Sequence, residues 1–353
     1  MRWRLGASAI LLALAACLAV RSAPATASPL PGGFFGVALQ QAVRAGDLAR
    51  MQGVVGTLRV PVYWWQCEAA AGEYDFAALD AEIGAAADRG IRVQPVVYGT
   101  PSWLSSRVAR PPLGSSALEA WAKFLRVLVR RYGSGGGFWR GRSQRMPIRL
   151  WQVWNEPNFV VFWKPHPNPL AYARLLRVSA RVIRRADRRA KIVLAGVAPV
   201  GAGIKTWVFL RRLFRVPGIR DDFDLVALHP YSTTLSELEY QVRKVRQAMA
   251  AARLGKLPLL VTELGVASWG SYPSAFVEGS VGQADFLQGA YRRLLQMRRR
   301  WHIAGVDWYT WRDQSLADPT CSFCQGAGLL GLDGKPKAAW WAYRRTVKDA
   351  GVR

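Results

Sequence analysis

The chain has 353 residues, of which 51% are hydrophobic, and its formal net charge is +26. The apolar fraction is large enough for a sizeable core and excludes a disordered chain. The basic residues are spread through helical segments, as at 184–185, 211–212 and 298–300, so solvated helix faces are the first interpretation and no nucleic-acid partner is expected. The alternative is that this charge retains the protein near anionic cell-wall polymers or favours an acidic substrate.

Residues 1–27 have the pattern of a secretory signal peptide. Arg2 and Arg4 precede an apolar stretch over 5–20, and the small residues at 25–27 form a cleavage site. Residues 14–17 also resemble a bacterial lipoprotein box, which would leave Cys17 lipidated. Because the apolar stretch continues past Cys17, we favour simple secretion, with the mature domain over 28–353.

From residue 33 onward, short apolar runs rich in β-branched residues alternate with longer segments of helical period. The predicted strands are 34–39, 56–62, 91–98, 148–154, 191–197, 225–229, 257–262 and 303–309. The predicted helices are 75–89, 117–132, 169–189, 235–254, 283–300 and 337–348, with a less distinct one at 205–215. Eight strands alternating with helices, without an intervening linker, predict one α/β domain, a (β/α)8 TIM barrel.

Two glutamates, Glu156 and Glu263, come directly after the fourth and seventh predicted strands, at the face where TIM barrels carry their active sites. Cleavage of a glycosidic bond requires such a pair, one carboxyl protonated and the other charged. We expect Arg59 and the Tyr231 hydroxyl to donate to Glu263 and keep it ionised. The apolar neighbours of Glu156 favour its protonated form.

The motifs Asn-Glu-Pro at 155–157 and Glu-Leu-Gly at 263–265 resemble those of clan A of the glycoside hydrolases. The resemblance implies a retaining double displacement on a poly- or oligosaccharide, with Glu156 as acid/base and Glu263 as nucleophile. It implies substrate-binding roles for Arg59, Asn155, His229 and Tyr231, and for Trp308 or Trp311 as the floor of the sugar subsite. Within the clan the sequence is most similar to family thirty-nine and to cellulase-like family-five proteins. It departs from family five at Tyr98, where a histidine often stands.

Sixteen tryptophans are a further signal, since a barrel core prefers Val, Ile and Leu. Those in or next to the loops at the catalytic face are Trp64, Trp65, Trp103, Trp163, Trp269 and Trp311. An indole suits the C–H face of a pyranose ring, so we predict a tryptophan-lined sugar cleft. Tyr98, Trp64 and Trp103 are accordingly predicted substrate-binding residues. For any single tryptophan, loop packing is the alternative.

The cysteines favour a structural interpretation. Cys321 and Cys324 lack the second pair of a zinc site, and in an exported protein they favour a short local disulfide that leaves Cys67 free. With only three histidines, no metal site is expected, and the carboxylate pair implies no cofactor. We expect a monomer. Two rival functions remain: a non-catalytic carbohydrate-binding protein on the same scaffold, and a basic envelope protein that binds anionic polymer.

Overall fold

The computed structural model describes residues 30–44, 46–199, 201–315 and 321–351. The predicted leader at 1–27, including Cys17, lies outside the described residues. The strands are β1 (Phe35–Ala38), β2 (Thr57–Tyr63), β3 (Arg92–Tyr98), β4 (Leu150–Val153), β5 (Lys191–Leu194), β6 (Val226–Leu228), β7 (Leu259–Leu264) and β8 (Ile303–Tyr309).

The helices surround these strands. They are α1 (Asp47–Met51), α2 (Trp64–Cys67), α3 (Ala77–Asp88), α4 (Ser115–Tyr132), α5 (Pro169–Ala186), α6 (Thr206–Leu213), α7 (Leu235–Ala251), α8 (Gly279–Met297) and α9 (Ala338–Asp349). Short 3-10 turns occur at Gly137–Trp139, Ile219–Asp222 and Cys324–Gly326. Within the described ranges, none of the helices has both the length and the apolar character needed to cross a membrane.

The eight strands form one parallel sheet in the order β5-β4-β3-β2-β1-β8-β7-β6. Isolated parallel bridges from Val193 to Leu225 and from Val197 to Leu228 join the two ends of that order, so the sheet is nearly closed. The predicted (β/α)8 barrel is therefore confirmed. All eight carboxyl ends open on the same face, which brings together side chains that are distant in sequence.

Local chemistry explains where the long helices begin and end. The side chain of Asn168 accepts hydrogen bonds from the amides of Leu170 and Ala171, so it caps α5 immediately before Pro169. The predicted end of this helix at 189 is three residues too late. Asp187 accepts from the Ser134 amide and hydroxyl and from the Arg189 amide, and these bonds turn the chain out of the helix.

Strand alternation separates the helix-facing side chains from those in the barrel lumen. On β8, Val306 and Trp308 are fully buried and belong to the main hydrophobic core, while Asp307 packs inward against Gly36 of β1. A β-carbon at Gly36 would lie 1.9 Å from the Asp307 Oδ1 atom, so only glycine fits there. Burial raises the pKa of Asp307 to about 8, which leaves it mostly neutral at pH 7.

Candidate active site

Arg59, on β2, organises one side of the site through all three of its nitrogens. Its Nη1 lies 2.6 Å from the Glu263 Oε1 atom, its Nη2 lies 2.8 Å from the Asn155 Oδ1 atom, and its Nε lies 3.0 Å from the Gln152 Oε1 atom. The Tyr231 hydroxyl donates to the other Glu263 oxygen at 2.6 Å. Both oxygens of Glu263 therefore accept a hydrogen bond, as expected from the sequence, and the carboxylate orientation is fixed.

His229 lies behind the two glutamates. Its Nδ1 atom is 2.7 Å from the Glu156 Oε1 atom and 3.5 Å from the Glu263 Oε2 atom. Its side chain is fully buried, and its Nε2 atom has no hydrogen-bond partner among the described residues, because that edge of the ring packs on Gly196. A β-carbon at Gly196 would lie 1.9 Å from this nitrogen. His229, a predicted substrate-binding residue, thus contacts the carboxylates from behind and is not among the described residues that line the cavity above them.

The backbone around Glu156 is held in an unusual conformation. Trp154 and Glu156 have positive φ angles of 69° and 39°, a region that costs a non-glycine residue about 1–3 kcal/mol. Two hydrogen bonds hold this turn: the Trp154 amide donates to the Val97 carbonyl at 2.8 Å, and the Glu156 amide donates to the Gly196 carbonyl at 3.0 Å. The neighbouring strands thereby fix the direction in which Glu156 points.

The two carboxyls have opposite protonation preferences. Burial raises the pKa of Glu156, and the nearby charge of Glu263 acts in the same direction, while His229 opposes the shift without reversing it. Burial acts to raise the pKa of Glu263 as well. There His229, Arg59 and the Tyr231 hydroxyl outweigh it, and the pKa is lowered. Glu156 therefore keeps its proton to a higher pH than Glu263 does.

Glu156, His229 and Glu263 are also the one group of side chains, among the described residues, that could hold a metal ion. Single atoms of Glu156, His229 and Glu263 lie within 4.8 Å of one another. However, Glu263 already accepts from Arg59 and Tyr231, and the guanidinium charge next to it disfavours a second cation. The arrangement suits proton transfer better than metal coordination.

A cavity of about 450 Å³ opens above the glutamates. Its aromatic lining consists of Tyr63, Tyr98, Phe159, Phe162, Tyr231, Phe276, Tyr309 and Phe323. Asn155 also lines it. Because Arg59 only donates, the atom of Asn155 that faces it must be oxygen, which leaves the amide nitrogen for a ligand.

The tryptophans predicted to bind substrate lie away from this cavity, and among the described residues no tryptophan lines it. Trp64 and Trp308 are fully buried, and Trp311 is 3% exposed. The Trp308 indole donates to the Ala327 carbonyl at 3.1 Å, and the Trp103 indole donates to the Glu68 carbonyl at 2.9 Å. These four indoles pack the barrel and its loops, as the alternative interpretation had it. Tyr98, in contrast, does line the cavity.

Tyr309 and Gln152 are site residues that the sequence interpretation missed. Tyr309 is the residue of β8 that faces the cavity, where Trp308 or Trp311 had been expected. Period-two alternation from the lumen-facing Asp307 indicates Tyr309, so strand alternation was the available signal. Gln152 could have been found in a similar way, because it is a polar residue within the apolar strand β4. Its side chain accepts a hydrogen bond from the Arg59 Nε atom.

Cys321 and Cys324 form a disulfide, the pairing favoured from the sequence, and both line the cavity. Between them, Phe323 packs on Tyr231 and Phe276 with ring centroids 5.1 and 5.0 Å apart. Cys67 is unpaired and buried, and burial raises the pKa of its thiol to about 12, so it is not a nucleophile at neutral pH.

The chain is similar to known glycoside hydrolases in sequence over part of its length and in fold over most of it. No protein-family model matches the chain. Among curated proteins, a beta-xylosidase of Geobacillus stearothermophilus is 26% identical over 222 residues, which cover 56% of this chain and 41% of that protein. The chain thus matches about two fifths of the length of this relative.

Several solved structures are similar over most of the chain. A family 39 glycoside hydrolase of Bacteroides cellulosilyticus has a TM-score of 0.65 at 19% identity, covering 90% of this chain and 64% of its own. A monomeric beta-xylosidase of Caulobacter crescentus has a TM-score of 0.62 at 21% identity, covering 88% and 67%. A GH5_18 protein of Streptomyces cattleya in complex with GlcNAc has a TM-score of 0.67 at 19% identity, covering 92% and 81%. The chain therefore has the barrel fold of clan A glycoside hydrolases, and its expected resemblance to families 39 and 5 is confirmed at that level.

Proposed function

We propose that this protein is a retaining glycoside hydrolase in which Glu156 is the acid/base and Glu263 the nucleophile. The observation that supports the proposal most directly is the geometry of the carboxylate pair. One oxygen of each lies within 4.8 Å of an oxygen of the other, so both carboxyls can reach the same anomeric carbon, as the closely spaced pair of a retaining enzyme does. Their opposed pKa shifts supply one acid and one base.

The proposed reaction has two steps. In the first, a Glu263 oxygen attacks the anomeric carbon while Glu156 gives its proton to the glycosidic oxygen, so the leaving group departs as an alcohol. In the second, the ionised Glu156 takes a proton from water, whose oxygen attacks the same carbon and breaks the ester to Glu263. Both carboxyls return to their starting forms. Tyr231 stays protonated throughout, since burial and the Glu263 charge raise its pKa well above the ordinary value.

The cavity supports a neutral sugar as substrate. Arg59 is the one cationic side chain among the described residues that line it, and its charge is already paired with that of Glu263. A uronic acid carboxylate would enter beside Glu263 with no counter-ion, which is costly in a buried site. We therefore propose a neutral oligo- or polysaccharide, and not the acidic substrate that the net charge of +26 suggests.

The relatives guide the choice of sugars. Two of them are beta-xylosidases, so we propose β-linked neutral pyranosides, with xylosides the first to test. The leader-like sequence at 1–27 supports a further proposal, that the enzyme is exported before it acts.

The experiment is release of reducing ends from a panel of neutral and acidic polysaccharides and of aryl β-glycosides. Wild type is compared with Glu263→Gln and with Glu119→Gln, an exposed glutamate on α4 that serves as the matched control. The proposal predicts release by wild type and by the control, and none by Glu263→Gln. Equal release by all three proteins would make Glu263 structural and overturn the mechanism.

The rival function is carbohydrate binding without catalysis. It predicts that wild type binds a panel member, by calorimetry, without producing new reducing ends over many hours. The opposed pKa shifts of the two glutamates favour the enzyme, because a binding protein has no need of two carboxyls with different acidities.

A further inference from the structure

A cluster of arginines lines a groove between α4 and α5, and none of them lines the cavity above the glutamates. Four exposed arginines form its walls: Arg126 and Arg130 on α4, and Arg181 and Arg185 on α5. The groove has a volume of about 400 Å³. Its floor is apolar and half-buried, made of Val178, Val182 and Ala186.

The groove arginines differ from three other arginines on the same helices. Arg131, Arg177 and Arg184 each form an ion pair with an aspartate: Asp80, Asp222 and Asp224 respectively. Within the described ranges, the four that line the groove have no such partner. The segment that forms α5 contains no acidic residue over its 18 positions. The charge of the four groove arginines is thus not balanced by a carboxylate among the described residues.

The spacing of the groove arginines also destabilises α4 and α5. Residues 126 and 130 are one helical turn apart, as are 181 and 185, and like charges at this spacing repel. Each wall therefore carries two arginines whose Cα atoms are about 6 Å apart along the helix axis. An anion bound between the walls would relieve both repulsions together.

We propose that this groove binds a linear polymer in which phosphodiesters alternate with short polyol or sugar units. A phosphodiester has two free oxygens that diverge from a tetrahedral centre, so guanidinium groups on opposite walls can hold one phosphate together. The carbon units between phosphates would lie on the valine floor. No aromatic side chain lines the groove among the described residues, so it lacks the stacking platforms on which single-stranded nucleic acid depends.

The groove and the cavity above the glutamates therefore have different ligands. The groove would hold the enzyme on an anionic polymer, while the cavity accepts a neutral glycoside. This inference stands independently of the hydrolytic activity, because none of the groove residues lines that cavity.

The test is binding of a fluorescent poly(glycerol phosphate) by anisotropy over a range of salt concentrations. The variant Arg130→Gln with Arg181→Gln removes one charge from each wall. Arg211→Gln with Arg212→Gln, at exposed positions on α6, removes the same charge elsewhere. We expect the groove variant to bind at least about tenfold more weakly, with a salt slope smaller by about two, and the α6 variant to bind within about twofold of wild type.

Three results would overturn the proposal. Equal weakening by both variants would show diffuse surface charge rather than a site. Binding of polygalacturonate or of single-stranded DNA as tight as that of poly(glycerol phosphate) would remove the phosphodiester polymer as the preferred ligand. Absence of binding by wild type at low salt would leave the arginines as a solvated helix face. Circular dichroism of both variants checks that each is folded.

Discussion

The cavity floor and the groove between α4 and α5 use charge in opposite ways. On the floor, Arg59, Glu156 and Glu263 are buried, and each is fixed by side chains from other strands. In the groove, the arginines are exposed and have no acidic partner among the described residues. Buried charge that is fully bonded can set the protonation of its neighbours, whereas exposed charge that is unpaired remains free for a ligand. The five predictions below test this contrast.

Loss of the Glu263 carboxylate should have the largest effect. Glu263→Gln keeps the size of the side chain and removes the nucleophile, so kcat/KM should fall by about 10⁴-fold or more on any substrate that wild type cleaves. The measurement is initial rate with an aryl glycoside, with a thermal melt to check folding. A variant that retains a tenth of wild-type activity would contradict the assigned role.

Glu156→Gln should have a smaller effect that depends on the leaving group. General acid catalysis contributes about 10²–10⁴-fold, and mostly for leaving groups that need a proton. We expect a loss in that range on an oligosaccharide and a much smaller loss on a dinitrophenyl glycoside. Glu156→Ala in azide should give the glycosyl azide with retained configuration. An equal loss on both substrates would contradict the acid role.

The pH profile of kcat/KM should be bell-shaped, with limbs that identify the two carboxyls. The lowered pKa of Glu263 means that activity is lost as pH falls through a value below 4.5, when the nucleophile takes up a proton. The raised pKa of Glu156 means that activity is lost as pH rises through a value above 4.5, when the acid loses its proton. A profile with one limb only would contradict the pairing.

Tyr231→Phe should move one of those limbs. It removes the hydroxyl that donates to the Glu263 Oε2 atom, a hydrogen bond to charge worth about 1.5–3 kcal/mol. The acid limb should shift to higher pH, and kcat should fall by about tenfold or more. The basic limb, which belongs to Glu156, should move less. A purely packing role of Tyr231 would leave both limbs in place.

The groove should give the smallest effect on catalysis. Arg130→Gln with Arg181→Gln should leave kcat/KM on a neutral glycoside within about twofold. It should raise the free energy of unfolding by about 0.5 kcal/mol, because one like-charge pair on each helix is removed. Urea unfolding and initial rates provide both numbers. A large loss of activity would show that groove and cavity are coupled.

The fold could be predicted from the sequence because parallel strands buried on both faces appear as apolar runs, and all eight fall where those runs lie. The runs are longer than some strands. The run at 148–154 contains β4, which spans Leu150–Val153, since hydrophobicity continues into the turn while sheet pairing stops. Strand ends depend on bonds to neighbours that a single run does not reveal.

The two glutamates of the candidate site and the residues that donate to Glu263 could be predicted from the sequence. Glu156, Glu263, Arg59 and Tyr231 come together because each lies within a strand of one barrel or just after its carboxyl end. The aromatic lining of the cavity was not predictable, because composition does not show which side of a strand or loop an indole faces. Trp308 and Tyr309 are adjacent in sequence and lie on opposite sides of β8, one in the core and one at the cavity.

The most direct test of the central claim is to trap the covalent intermediate. The enzyme is incubated with 2-fluoro-2-deoxy β-glycosides that carry a good leaving group, with xylose, glucose and mannose as the sugars, and then digested and sequenced by mass spectrometry. We predict one added fluoro-sugar, on Glu263, and none on the Glu263→Gln variant. Hydrolysis of the matching normal glycoside with inverted product configuration, or a label on any other residue, would contradict the retaining mechanism through Glu263.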